Sequence, residues 1–162
     1  SAEVTRLPDD SVDWVVAGQA FHWFDRALAR VEFDRILAPG GAVALVWNDR
    51  QYDTTLFLRG YEALLQEFGT DYSKVNHRNL RDDLFARFFG HGNYEARSYP
   101  NRQLLDYRGL EGRLLSSSYT PGPGDPARHR MLERLQQLFR ETSRENQVEI
   151  LYDTRIWIGR LG

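Results

Sequence analysis

The sequence predicts an α/β fold whose sheet opens with parallel strands and closes with an antiparallel pair. Three observations predict it. Val12-Asp13-Trp14-Val15-Val16-Ala17 is a compact apolar run ending at Gly18, the pattern of a strand covered on both faces. A helical stretch and the turn Ala38-Pro39-Gly40-Gly41 separate it from a second such run, Ala42–Trp47, so the three pieces form one right-handed βαβ unit. Near the end of the chain Val148, Ile150, Tyr152, Thr154, Ile156 and Ile158 alternate with polar partners, the period of a half-buried strand.

Between these landmarks the elements follow in order. A helix starts at Phe24-Asp25 with Asp25 as N-cap, and Ala27, Leu28, Val31, Phe33, Ile36 and Leu37 form its broad apolar side. Pro39-Gly40-Gly41 ends it, because Pro cannot continue a helix and Gly tolerates positive φ. Thr55–Phe68 carries Leu56, Phe57, Tyr61, Leu64, Leu65 and Phe68 at helical spacing, and Leu80–Phe89 is a shorter helix. After the turn Gly90-His91-Gly92-Asn93 comes a strand, Tyr94–Leu105, which Pro100 assigns to an edge or a bulge. Tyr107–Ser117 is helical, and Pro121–Pro126 is a loop. Ala127–Arg144 is the clearest amphipathic helix, with Met131, Leu132, Leu135, Leu138 and Phe139 on one face. Val148–Leu161 closes the chain as a strand. No repeat, low-complexity tract or linker interrupts this order, so residues 1–162 read as one domain with a single core of ordinary size.

Composition narrows the function classes. Of 162 residues, 41% are apolar and 27% charged, which describes a folded chain rather than a disordered one. A net charge of −2 argues against a nucleic-acid partner. The arginines of Ala127–Arg144 are interleaved with Glu and read as helix-face ion pairs rather than an RNA surface. No cysteine is present, which removes disulfides and thiolate chemistry. His22, His77, His91 and His129 are scattered without ligand spacing, so no metal is expected. No apolar run reaches membrane-spanning length; no membrane partner is expected, and the location expected is cytoplasmic. Ser1 runs within a few residues into the turn Pro8-Asp9-Asp10-Ser11 with no strand ahead of it. The expectation is a piece of a longer protein, with a naturally short protein as the alternative.

Four pieces at ordinary spacing carry a family resemblance: Ala2-Glu3 with Leu7-Pro8; Asp10-Ser11-Val12-Asp13 opening a strand; Gln19-Ala20-Phe21-His22-Trp23-Phe24; and Arg35-Ile36-Leu37-Ala38-Pro39-Gly40-Gly41. Together they resemble the class I S-adenosylmethionine-dependent methyltransferases of the methyltransferase type 11 group. The likeness is densest over the first third and continues loosely through Ser116–Tyr119 and Tyr152–Arg155. It implies the C-terminal part of a Rossmann-like sheet, in family numbering strands 4-5-7-6 with helices on both faces and strands 1 and 2 absent. It also implies that residues 54–89 form a mostly helical acceptor-pocket insertion between strands 5 and 6.

The same resemblance assigns site residues. Ala2 and Glu3 correspond to the loop that meets the adenine of S-adenosylmethionine. Ala17, Gly18 and Gln19 leave the fourth strand beneath the methionine part, where a small residue lets a ligand approach the backbone. His22 and Trp23 border the sulfonium, and His22 is the positional candidate for a catalytic base; it reads equally as a helix-entry residue making a local hydrogen bond. Asn48, Asp49 and Arg50 at the end of the fifth strand, with Tyr119 beside Ser118 and with Arg155, are candidates for contact with a small-molecule acceptor. Arg155 is equally suited to pairing with a carboxylate on the sheet.

One expected part is missing from these 162 residues. A cofactor loop needs a buried strand, Gly-x-Gly and a helix start, whereas Gly90-His91-Gly92 and Gly122-Pro123-Gly124 follow no buried strand. The expectations are therefore methyl transfer in a longer parent, weak or absent S-adenosylmethionine binding by this chain, and self-association through the open edge of Val12–Ala17. The alternatives are a truncated, non-catalytic relative serving as an interaction or regulatory subunit, and a nicotinamide dehydrogenase, which needs the same missing loop.

Overall fold

In the computed structural model, the described residues are 1–70, 72 and 82–161. Asp25 starts the first helix as the sequence predicts: its carboxylate accepts hydrogen bonds from the Ala27 and Leu28 amides, both at 3.1 Å. Strand β1 (Val12–Gly18), a single 3-10 turn (Phe21–Trp23), α1 (Arg26–Ile36) and β2 (Leu37–Arg50) form the βαβ unit. Then follow α2 (Leu56–Phe68), α3 (Asp82–Phe89), β3 (Tyr94–Leu105), α4 (Tyr107–Leu115), α5 (Pro126–Thr142) and β4 (Val148–Gly159). Leu80, the expected start of the short helix, lies outside the described residues.

The strands lie in the order β1-β2-β4-β3, the order implied above, and β1 runs parallel to β2. The sheet is mixed. Asn93 and Arg102 on or beside β3 meet Arg160 and Glu149 along β4, so numbering rises on one side as it falls on the other, the antiparallel pattern. Pro100 sits on the edge strand β3, a position where proline is tolerated.

Four expectations are corrected. The Pro39-Gly40-Gly41 segment is no turn ahead of β2 but a bulge inside it. Val12 pairs with Leu37 and Trp14 with Ala42, so one intervening residue on β1 faces four on β2. Proline has no N–H for the ladder, and Gly40 at φ +85° takes up the left-handed kink. Second, β1 is not covered on both faces: Trp14 and Val16 are 55% and 65% exposed. Among the described residues β1 is an edge strand with β2 as its one neighbour. Third, α1 buries Ala29, Glu32, Phe33 and Ile36 and leaves Leu28 and Val31 exposed. The apolar stripe was broader than the face that packs.

The fourth correction concerns the core. The described residues form two compact units, residues 1–49, 82–100 and 153–161 in the first, and 50–70, 72 and 101–152 in the second. Each has its own cluster of buried side chains. Phe21, Phe33, Leu45, Trp47, Phe85, Phe89 and Trp157 lead the first. Phe57, Tyr61, Leu65, Leu110, Leu135, Phe139 and Ile150 lead the second. This division explains β4. Val148, Ile150 and Tyr152 alternate as predicted, but burial then passes to Trp157 and Gly159 instead of Ile156 and Ile158. A strand that serves two cores does not keep one phase.

In the first unit Glu32 ties the opening segment to α1. It accepts from the Thr5 amide at 2.8 Å and the Thr5 hydroxyl at 2.5 Å, and Arg35 grips both its oxygens at 2.9 and 2.8 Å. Arg35 also pairs with Asp9 and donates to the Leu7 carbonyl. The Arg35 guanidinium, then the Thr5 donors, hold the Glu32 carboxyl down to about 2. A depressed folded value means the contribution is complete above the unfolded value of about 4.3 and is lost as pH falls through about 2. Glu32→Gln is expected to lower stability at neutral pH and to flatten its fall between those two values. Urea unfolding across that range, with NMR titration of the Glu32 carboxyl, checks this; a carboxyl titrating near the ordinary value contradicts it.

Candidate functional site

The carboxyl ends of β1 and β2 lie side by side, because Gly18 is in register with Val46. Ligands in doubly wound sheets collect at such ends, where the chain diverges and backbone donors become available. Gln19 leaves β1 at φ +55°, a left-handed conformation rare for a residue with a side chain. Two hydrogen bonds support it. Its amide donates to the Val46 carbonyl at 2.9 Å, and its Oε1 accepts from the Asn48 amide at 3.0 Å. The Asn48 side chain is held in turn by the Thr154 hydroxyl, which donates to Oδ1 at 2.6 Å. Gly18 is exposed, and a Cβ built there would meet nothing within 4 Å. The backbone is open at this point.

The other candidates of the first unit surround these strand ends in two groups. His22 is half-buried, its ring centroid 4.7 Å from that of Trp23 and 6.3 Å from that of Trp47. Trp23 is 77% exposed. Asp49 and Arg155 form a 3.4 Å pair, with the Arg155 guanidinium carbon 5.1 Å from the Trp157 ring centroid. Arg155 thus takes the carboxylate partner that the sequence left as its alternative. Ala17 is buried in the first core, and Ala2 packs against that core. The Glu3 carboxylate accepts from the Asp25 amide at 3.0 Å. Hydrogen bonds from its own backbone amide, from Ser1 and from Asp25 hold its carboxyl below the usual value. Glu3 therefore helps to anchor the start of α1.

Arg50 and Tyr119 belong to the second unit, where Tyr72 links them. Arg50 Nη2 lies 2.5 Å from Glu62 Oε2 and donates to the Tyr72 hydroxyl at 2.8 Å. Tyr72 donates to the same Glu62 oxygen at 2.6 Å, and its ring lies edge-on to Tyr119 with centroids 5.1 Å apart. Burial, then the bond to Glu62, push the Tyr72 phenol up to about 12. Burial raises the Glu62 carboxyl, but Tyr72 and Arg50 outweigh it and hold the group below its usual value.

Sequence reasoning missed Thr154, Trp47, Glu62 and Tyr72. Thr154 was predictable only once β4 is placed antiparallel to β2; Glu62 sat in a helix read for its apolar face. Among the described residues no group of three or more His, Asp or Glu side chains could hold a metal ion, and His77 lies outside them. No helix among them is long and apolar enough to cross a membrane. The open cavity of about 840 Å³ in the first unit, lined by Trp14, the Pro39–Ala42 bulge, Arg97, Tyr99 and Arg160, contains none of the candidate residues. It lies toward the opposite ends of β1 and β2.

Residues 1–45 match the family model described as a methyltransferase domain. An uncharacterized methyltransferase-like protein of Schizosaccharomyces pombe is 29% identical over 157 residues, covering 95% of this chain and 60% of that protein. An uncharacterized methyltransferase of Mycobacterium tuberculosis is 52% identical over 50 residues, 31% of this chain and 21% of its own length. The chain thus spans less than two thirds of either relative. Among solved structures, a candidate type II methyltransferase from Anaeromyxobacter dehalogenans superposes with a TM-score of 0.66 at 22% identity, over 99% of this chain and 69% of that one. A candidate methyltransferase of an antibiotic biosynthesis pathway from Anabaena variabilis gives 0.52 at 20% identity, over 99% and 71%.

Proposed function

We propose that this chain is part of a class I S-adenosylmethionine-dependent methyltransferase, and that it supplies one wall of a cofactor site and the acceptor side of a methyl transfer to a small molecule. The observation that carries the reading is the Gln19–Asn48 clasp across the ends of two parallel strands, beside the open backbone at Gly18. A strained residue held by its neighbours at a strand end is a recurrent feature of ligand sites.

The residues present fit part of the cofactor. Gly18 leaves space for a ligand against the backbone, and the exposed Trp23 face attracts a sulfonium-like cation. When bound, S-adenosylmethionine supplies the methyl group, activated by its positive sulfur. The protein's part is to hold donor and acceptor in line, and it needs a base only for an acceptor that carries a proton. In this reading His22 is that base, and Asn48 and Asp49 orient the acceptor. Arg155 positions Asp49. The second unit, taken by itself, offers Arg50 and Tyr119 as contacts for a small molecule. No Gly-x-Gly loop follows a buried strand in these residues, so the chain is inactive by itself.

S-adenosylhomocysteine titrated into the 15N-labelled chain is expected to bind no tighter than the millimolar range, with amide shifts centred on Gly18, Gln19 and Asn48. Micromolar affinity contradicts the half-site reading. Saturable shifts elsewhere, or none, contradict the cofactor reading.

The edge of β1 bears on partners. Among the described residues the outer edge of β1 is unpaired, and beside Trp14 and Val16, 55% and 65% exposed, it is a template for a second copy. The chain is expected to self-associate through it, and Val16→Lys to shift sedimentation toward the monomer. A monodisperse monomer at high micromolar concentration contradicts this. The second reading, a non-catalytic interaction subunit, is favoured by the same open edge together with the missing loop.

A further inference from the structure

The cavity of about 840 Å³ in the first unit is built on the face of the sheet turned away from that unit's core. Side chains alternate along each strand, so the buried ones fix where the others point. Val15, Val43, Trp157 and Tyr94 pack into the core. Trp14 on β1, Ala42 on β2, Ile158 on β4 and Glu95 on β3 therefore point the other way, into the cavity. Trp14 and Ala42 are in register across the parallel pair. Arg97 and Tyr99 follow Glu95 on the same face of β3, and Arg160 follows Ile158 just beyond the end of β4.

Bare backbone opens onto this space at two points. Gly40 in the β2 bulge and Gly92 ahead of β3 have φ of +85° and +81°, and a Cβ built on either meets no described atom within 4 Å. Charge is divided by the strand order. Asp13 is on β1 at one side of the sheet, whereas Glu95, Arg97 and Arg160 are at the β3 and β4 side. Glu95 and Arg97 form a 2.7 Å pair, so among the described lining residues that side holds two guanidiniums and one carboxylate. Three inter-strand spacings, about 14 Å, separate β1 from β3. Ala42 and Ile158 form an apolar floor between them, and Trp14 and Tyr99 supply half-exposed rings. Aromatic rings are a platform for another ring, and a guanidinium fork matches a carboxylate or phosphate.

We propose that this cavity binds a small aromatic oxyanion, its ring beside Trp14 and the β2 bulge and its carboxylate or phosphate on Arg97 and Arg160. Allowing for the side chains at both sides, the ligand is about 10 Å long. The bulge belongs to the ring end because Gly41 lies against the Asp13 carbonyl of β1. The cavity lies toward the opposite ends of β1 and β2 from Gly18 and Gln19. It is a second site, and it does not depend on the methyl-transfer reading.

The test titrates four probes separately into the 15N-labelled 162-residue chain: biphenyl-4-carboxylate, biphenyl-4-yl phosphate, neutral biphenyl-4-carboxamide and cationic biphenyl-4-ylmethylamine. The Gly40 and Gly92 amides and the Trp14 indole N–H are followed by NMR. Both anions are expected to shift these signals saturably, with a Kd of about 1 mM or tighter, and the tighter of the two identifies the head group. The carboxamide and the amine are expected to bind about tenfold more weakly or not at all. Arg160→Met is expected to weaken the anions by about tenfold, the loss of a charge-assisted contact, and to leave the carboxamide unchanged. Arg97→Met, on another strand, makes the same comparison independently. Trp14→Ala is expected to weaken all probes several-fold. The three side chains are exposed, so the fold is expected to survive each change. Carboxamide or amine binding as tightly as the carboxylate overturns the proposal, and so does anion affinity unchanged in both arginine variants. Shifts confined to residues outside the cavity, or no shift at several millimolar, also overturn it. Shifts that follow protein rather than probe concentration report pairing at the β1 edge and count against the site.

Discussion

Phe85→Ala is expected to cost about 3–5 kcal/mol, the range for deleting a fully packed ring. Phe85 has no exposed surface. Its ring stacks on Trp157 at 4.0 Å between centroids with planes 10° apart, and faces Phe21 at 6.0 Å. Trp47 meets it edge-on at 6.3 Å. Removing it leaves a hole bordered by three other rings, which cannot all move in at once because each also packs elsewhere. Trp47 keeps Phe21 and Trp157, and Phe21 keeps Phe24 and Phe88. The same truncation at Leu28, which is 57% exposed on α1, is expected to stay within about 0.5 kcal/mol. Urea unfolding followed by circular dichroism compares the two. Equal costs would contradict the packing described for the first unit.

That contrast bears on what was legible in the sequence. Element types and order could be read because they depend on local chemistry: Asp25, Thr55, Asp106 and Asp125 each cap the helix that follows, and Pro100 marks an edge strand. Burial was less legible. Leu28 and Val31 have the same apolarity as the buried Phe33 and Ile36, and only the tertiary neighbours decide between them. The division of β4 between two cores was invisible for a related reason. Alternation records that a strand has two unlike faces, and does not record which core each half serves. Among site residues, Gln19 was legible through its motif, but its left-handed backbone and its bond to Asn48 required the register of β1 on β2. Arg50 shows the opposite case. Its position at a strand end suggested a ligand contact, and its nearest partner proved to be a glutamate from the following helix.

Arg50→Met is expected to destabilise the second unit by about 3 kcal/mol at neutral pH, the lower end for breaking a buried pair. The two side chains are 13% and 9% exposed. The lower end applies because Glu62 keeps Tyr72 and Gln66 as donors when the guanidinium is gone. The pH dependence makes the prediction specific. In the native protein burial opposes ionisation of Glu62, but Tyr72 and Arg50 together hold its carboxyl below the usual value. Its contribution is therefore complete above the unfolded value of about 4.3 and is lost as pH falls through the lower, folded one. Without Arg50 the burial penalty dominates and the folded value rises above the unfolded one. The sign then reverses: the variant gains stability as pH falls through the raised value. The gap between variant and native protein is expected to narrow steadily from pH 7 toward pH 4. Glu62→Gln in the Arg50→Met background removes the buried charge altogether and is expected to recover part of the loss at neutral pH. A gap independent of pH would show that Arg50 acts through packing of its stem over Tyr61, whose ring centroid lies 5.2 Å from its guanidinium carbon, rather than through the charge of Glu62.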